Sequence, residues 1–175
     1  MNTRHPAVLR HVLPSDDEAI LDAFTAEDMA RQGDVRDPAS AATYARRLSE
    51  NPFAFALSAD GSLLGVVALN VDHENRLGWF WYWTHHSHRH RGLAKRAAAT
   101  VANWALRDGG IERLELGHRA NNPASGAVAR AAGFVQEGIE REKFLVDGAR
   151  VDVLTYGRLR GDPRPSTPEL PLRAS

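Results

Sequence analysis

Arg89, Gly92 and Ala94 stand in the pattern Arg-x-x-Gly-x-Ala, inside the stretch HHSHRHRGLAKRAAATV that runs from His85 to Val101. The chemistry this pattern offers is anion binding. A helix start leaves its first N–H groups without intrahelical partners, and the helix dipole puts partial positive charge there. Gly92 has no Cβ, so a phosphate can approach the backbone closely. Arg89 and Arg91 add charge-assisted donors. The same residues also read as a basic helix start on a solvated surface, and the pattern alone leaves both readings open. No Gly-Lys-Ser/Thr follows, so this is not a Walker loop, and the dinucleotide pattern Gly-x-Gly-x-x-Gly is absent. His85, His86, His88 and His90 crowd the same turn. They could ligate zinc or nickel, or line a phosphate entrance and attract anions when protonated. With no second ligand cluster in the chain, no metal is expected.

The elements around the turn must hold it in place. Before it, Gly78 to Thr84 (GWFWYWT) reads as a strand, apolar on both faces and so buried on both. One of those faces is a candidate lining for an acyl or substrate pocket. After it, Ala94, Ala97, Ala98, Val101, Trp104 and Ala105 recur at helical spacing over Gly92 to Asp108. Gly109-Gly110 ends that helix. Upstream, Ala7 to Leu13 reads as a strand. Ser15 with its following acids starts a helix to about Phe24, and Pro38 starts another to about Glu50. Phe53 to Ala59 and Ser62 to Val71 form a hairpin about Asp60-Gly61. Downstream, Ile111 to His118 is a strand and Asn122-Pro123 starts a short helix ending at Gly133. Phe134 to Val146 and Ala149 to Leu159 form a second hairpin about Asp147-Gly148. The order β-α-α-β-β-β-α-β-α-β-β predicts an α/β (α+β) fold: a mixed central sheet of about seven strands with helices on both faces. Ligands in such sheets sit where strand ends diverge, which here is the end of the aromatic strand. One domain over residues 1–160 is expected. Gly161 to Ser175 is Pro-rich and polar, and reads as a loosely attached, flexible tail over 161–175.

Composition narrows the function classes. Lysine plus arginine and aspartate plus glutamate balance at 22 each, for a formal net charge of zero. No global field then favours nucleic acid or membrane, and no second basic stripe supports a nucleic-acid surface. The chain has no cysteine, which removes thiol catalysis, disulfides and cysteine-bound zinc. No apolar run reaches the length of a bilayer span, and no apolar signal core opens the chain. A cytoplasmic location is the default expectation.

Three pieces together carry a family resemblance: Arg89-x-x-Gly92-x-Ala94 after a strand; NPASGAVARAAGF from Asn122 to Phe134; and Glu137-Gly138 with Arg141-Glu142, then Asp147-Gly148 and Asp152 to Tyr156. This chain resembles the GNAT superfamily of acyl-CoA-dependent N-acyltransferases over roughly residues 7–160. The last two pieces look like its RimJ/RimL-type branch, whose described members acetylate ribosomal-protein N-termini. The resemblance implies acetyl-CoA as co-substrate. Backbone groups around Thr84, Trp83 included, would pair with the pantetheine arm. Arg89, His90, Arg91, Gly92, Leu93, Ala94 and Lys95 would hold the pyrophosphate. Asn122 and Ser125 would lie near the thiol. Two departures matter. Ala129 stands where many relatives carry a tyrosine acid for the leaving thiolate, which makes Ser125 the candidate. An apolar residue near Trp79 stands where many carry an acidic base.

Acyl transfer to an amine needs a held thioester, a neutral amine, a polarised carbonyl and a proton for the leaving sulfur. Ser125 is the candidate acid; its alternative is a helix cap, and Asn122 has the same two readings. Glu142 is the candidate base, with Glu140 on the same face; the alternative for both is a solvated hairpin charge. The acidic segment Thr25 to Asp37 could attract a cationic amine or simply be solvated. The expected function is transfer of an acetyl group to a primary amine, on a protein N-terminus or a small molecule, in a ternary complex. A larger acyl group such as succinyl, and a non-catalytic acyl-CoA sensor on the same fold, are the alternatives. Homodimerisation is left open.

Overall fold

The computed structural model describes residues 6–173. Its strands are β1 (Val8–His11), β2 (Ala54–Ala59), β3 (Ser62–Asp72), β4 (Leu77–Thr84), β5 (Arg113–Arg119), β6 (Val135–Val146), β7 (Ala149–Leu159) and β8 (Leu172–Arg173). Its helices are α1 (Asp17–Ala23), α2 (Pro38–Ser49), α3 (Leu93–Arg107) and α4 (Pro123–Ala131), with short 3-10 turns at Glu27–Arg31 and His86–His88. The strands form one sheet in the order β6-β7-β5-β4-β3-β2-β1-β8. Both Asp-Gly hairpin turns have the left-handed φ values that two-residue hairpins need, at Asp60 and Gly61 (51° and 80°) and at Asp147 and Gly148 (50° and 81°).

Alternation along β4 divides the core in two. Phe80 and Tyr82 pack with the alanines of α3, where Ala97, Ala98 and Ala102 are fully buried and let the helix lie close to the sheet. Trp81 and Trp83 pack on the other face, with α1 and α2. The expectation of an aromatic strand buried throughout fails at Trp79, which is 41% exposed.

Two features position the site. First, β4 pairs with β5 in parallel, but only from Leu77–Arg113 to Trp79–Glu115. Beyond Trp79 the two strands part, and the β5-facing edge of β4 has no strand partner. Second, the tail is docked, which corrects the expectation of a loose segment over 161–175. Leu172 and Arg173 add an eighth strand beside β1, and Leu9 N–H donates to Pro171 O at 2.9 Å. Leu170 is buried; its N–H donates to Thr100 Oγ1 at 2.8 Å, and Asn103 Nδ2 donates to Glu169 Oε1 at 2.7 Å. Buried Arg158 braces the same region, donating to Ala132 O at 2.7 Å and to Asn103 Oδ1 at 2.6 Å. The tail has no apolar period because single residues, not a face, hold it. Ala174 and Ser175 lie outside the described residues.

Candidate active site

The aromatic strand delivers the chain to the mouth of the β4–β5 gap, and the turn after it builds a cleft of about 440 Å³. Trp83, Thr84, Arg89, His90, Arg91, Gly92, Leu93, Ala94, Lys95, Asn122 and Ser125 all line this cleft, with Asp28, Gln32 and Tyr82. His90 (φ 62°) and Gly92 (φ 71°) are both left-handed, so the loop winds back on itself before α3 begins. Such alternating backbone gathers N–H groups into an anion-binding hollow. Gly92 is the N-cap of α3, and no side chain caps that helix start. A Cβ built on Gly92 meets nothing within 4 Å, so it would project into open space. The first amides of α3 are therefore left for an acceptor from outside the chain.

Arg89 does not hang free over the hollow. Its Nε donates to Thr84 O at 3.1 Å, and its two terminal nitrogens hold Asp28 at 2.8 and 3.2 Å. It ties the end of β4, the loop and the Glu27–Arg31 turn together. Arg91 donates to Ser87 O at 3.2 Å. His85 is buried, with Nε2 2.8 Å from Asp22 Oδ2, while its Nδ1 accepts from Ser87 N–H at 3.3 Å. That places the proton on Nε2. Burial, aided by the charge of Arg91, lowers the pKa of His88, so this ring stays neutral near pH 7 and does not add the positive charge expected of it. Among the described residues no group of three or more His, Asp or Glu side chains is arranged to hold a metal.

At the other wall of the cleft, α4 begins at Asn122, whose Oδ1 accepts from Ser125 N–H at 3.2 Å. Asn122 is thus the cap and Ser125 the residue being capped, which corrects the reading of Ser125 as a cap. The Ser125 hydroxyl meets Tyr82 instead. Tyr82 Oη is 2.8 Å from Ser125 Oγ and donates to Ser125 O at 2.8 Å. One phenol proton thus has two acceptors. Aimed at the carbonyl, it leaves the serine hydroxyl donating to Tyr82; aimed at Oγ, it frees the serine proton for the cleft. Burial pushes the Tyr82 pKa up to about 12, against the lowering effect of the Ser125 bond, so Tyr82 stays protonated at any physiological pH.

Tyr82 is the residue missed in the sequence. Ala129, where a tyrosine was sought, is buried in the core, and the phenol arrives from β4 instead. The signal was present in the period-2 alternation, which puts Tyr82 and Phe80 on the α4 side. Glu142 is not brought to the cleft. It sits in a bulge of the β6–β7 hairpin with φ 52°, exposed, its N–H donating to Asp152 Oδ1 at 2.7 Å. The break in register between Glu140 and Phe144 moves it away from the face that simple alternation predicted. Glu140 binds Lys143 Nζ at 2.6 Å. In the acidic segment, Asp28 holds Arg89, Asp34 holds Arg36 at 2.6 Å, and Asp37 caps α2.

The sequence model of the family described as "Acetyltransferase (GNAT) domain" matches residues 7–135. A Bacillus subtilis (strain 168) protein named "Putative ribosomal N-acetyltransferase YdaF" is 26% identical over 136 residues, 72% of this chain and 74% of that one. Among solved structures, a GNAT-family acetyltransferase from Bacillus anthracis superposes with a TM-score of 0.78 at 15% identity, covering 91% of this chain and 98% of its own. RimL, a ribosomal L7/L12 alpha-N-protein acetyltransferase in complex with coenzyme A, superposes with a TM-score of 0.77 at 22% identity, covering 88% and 94%. At these identities the structures show a shared fold, and the match over residues 7–135 shows the family: the chain belongs to the GNAT acetyltransferases, acyl-CoA-dependent enzymes.

Proposed function

We propose that this chain transfers an acetyl group from acetyl-CoA to a primary amine by direct attack, with both substrates held across the β4–β5 gap. The observation that carries this reading is that the uncapped start of α3 and the Ser125–Tyr82 pair open into one cleft. One supplies an anion cradle and the other a proton donor. The amides from His90 to Lys95 hold the pyrophosphate, and the Lys95 and Arg91 side chains add charge. The unpaired edge of β4, with Trp83 and Thr84, takes the pantetheine arm as an added strand would be taken. Free N–H groups on that edge polarise the thioester carbonyl.

The acceptor nitrogen then forms a C–N bond to the carbonyl carbon while the C–S bond breaks. Ser125 gives the sulfur its proton, Tyr82 keeps the serine hydroxyl oriented, and the proton lost by nitrogen returns through water. Asp28 is the carboxylate lining the cleft, and Arg89 holds it in two bonds. Solvent therefore takes the amine proton, and kcat/KM should rise with pH along the acceptor amine's own titration. A pH profile with one fixed inflection for acceptors of different pKa would contradict this.

Relatives carry names that point to ribosomal proteins, so N-terminal peptides belong in the acceptor panel beside small amines. The test is free-CoA release from acetyl- and succinyl-CoA against that panel. Amine-dependent release from acetyl-CoA supports the reading. Tight acyl-CoA binding with no release from any amine would turn the chain into a sensor.

A further inference from the structure

The end of β5 puts a buried histidine, His118, beneath the start of α4. Its Nδ1 donates to Arg119 O at 2.8 Å. The same carbonyl accepts from Asn122 N–H at 2.9 Å, and Asn122 Oδ1 in turn accepts from Ser125 N–H. One ring nitrogen thus holds the turn that leads to the α4 cap. The other, Nε2, lies under Gly126, the residue after Ser125. A Cβ built on Gly126 would stand 2.7 Å from Nε2 and 3.1 Å from Cε1. The first is closer than van der Waals contact, so glycine is what lets the first turn of α4 rest on the ring. The ring itself is locked. Buried Tyr156 stacks on it with centroids 5.3 Å apart and brings its Oη to 3.3 Å from Nε2. Arg130 Nη1, from the last turn of α4, points at the same Oη from 3.5 Å. A guanidinium only donates and a carbonyl only accepts. The Tyr156 proton therefore goes to Nε2, and the ring carries its own proton on Nδ1. The bonds run one way, from Arg130 through Tyr156 and His118 to Arg119 O. They leave α4 at its end and return to it at its cap.

We propose that His118 is a positioning residue for Ser125: its ring, held at both nitrogens, fixes the first turn of α4 where Ser125 Oγ stands 2.8 Å from Tyr82 Oη. The proposal rests on Ser125 acting as the acid. Tyr82 comes from β4 and Ser125 from α4, and the β4–β5 pairing has ended before either is reached. What lies under α4 therefore sets the distance between them. Val128 and Ala129 seat the middle of the helix on the core, but apolar packing is non-directional. The two bonds of the His118 ring are directional. A hydroxyl that must protonate a leaving sulfur tolerates little error in place, and a shift of about 1 Å in a reacting group costs roughly 100-fold in rate. His118 does not line the cleft, so it acts through the turn and not on the substrates.

The test is a double-mutant cycle on kcat, with acetyl-CoA and the fastest amine of the acceptor panel. His118→Phe keeps a ring under Gly126 and removes both hydrogen bonds. It should lower kcat about 10- to 100-fold. Acetyl-CoA affinity by calorimetry should stay at the parent value, because the cradle at His90 to Lys95 belongs to α3 and its loop. In the Ser125→Ala chain the same substitution should have no further effect on kcat. Gly126→Ala, which lifts the turn off the ring, should behave alike, and it takes the place of His118→Phe in the cycle if that chain does not fold. Parent kcat in folded His118→Phe and Gly126→Ala chains would overturn the proposal. So would a loss confined to KM, or losses that multiply with that of Ser125→Ala. In each of these cases a low kcat in Ser125→Ala leaves the acid reading standing. Parent kcat in Ser125→Ala would sink the acid reading itself, and the proposal with it.

Discussion

Helices α2 and α3 begin in opposite ways. At α2, Asp37 is extended (φ −151°, ψ 170°), its Oδ1 accepts from Ser40 N–H at 2.8 Å, and Ser40 Oγ accepts from Asp37 N–H at 3.0 Å. Pro38 has no N–H to satisfy. The start is closed by its own residues. At α3 the cap position is Gly92, left-handed and without a side chain, and the amides that follow face a cleft. The α2 start lies beside solvent and belongs to stability. The α3 start faces the β4–β5 gap and is open to an acceptor from outside the chain. A helix start that omits its own cap in a concave site marks where the missing acceptor must come from outside.

The largest expected effect is at the open start. Gly92→Glu puts a carboxylate into the hollow and a side chain at φ 71°, and should weaken acetyl-CoA binding at least 100-fold by calorimetry, roughly 3 kcal/mol. Unchanged affinity in a folded variant would remove the distinction between the two helices. Next comes the tail, which grips the middle of α3 through Thr100 and Asn103. Truncation after Arg160 exposes the contacts of buried Leu170 and takes one hydrogen-bond partner from each of Thr100 and Asn103. It should cost about 2–4 kcal/mol of stability in thermal or urea unfolding. A truncated chain that melts like the full one would show that α3 is held by the sheet alone.

A third effect lies on kcat. Ser125→Ala should lower it 10- to 1,000-fold, about 1.4 to 4 kcal/mol, with little change in acetyl-CoA affinity. Tyr82→Phe should act in the same direction by a smaller factor. Because the Tyr82 pKa is raised to about 12, the phenol stays protonated and the profile should show no alkaline fall from this group up to pH 10. The smallest effect is at the closed start. Asp37→Ala should lower Tm modestly and leave acetyl-CoA binding alone. The Ser40 N–H bond lowers the Asp37 pKa below 3.8, so its contribution is present above that value and fades as pH falls through the folded-state pKa. The Asp37→Ala chain should lose that part of its acid sensitivity.

The sequence determined by itself what local spacing can encode. A strand, a glycine turn and an alanine-faced helix are legible from Gly78 to Arg107, whereas the loop between them is held by Arg89 on distant Asp28. Likewise the Asp-Gly pairs set both hairpins, and Asn122-Pro123 sets the start of α4. Only the tertiary structure decided what depends on long-range contact. Tyr82 and Ser125 meet across 43 residues, and no period in either segment announces the other. Glu142 lies away from the cleft because a bulge resets the face of its strand, and bulges leave weak marks in sequence. The tail defeated periodicity for another reason: Thr167, Glu169, Leu170 and Leu172 are each fixed by a separate partner, so no repeating pattern was needed to hold it. The His118 ring likewise lies under Gly126 only because the end of β5 and the start of α4 pack together. Local chemistry is written residue by residue, whereas a site assembled from separate elements exists only when packing brings their side chains within a few ångströms.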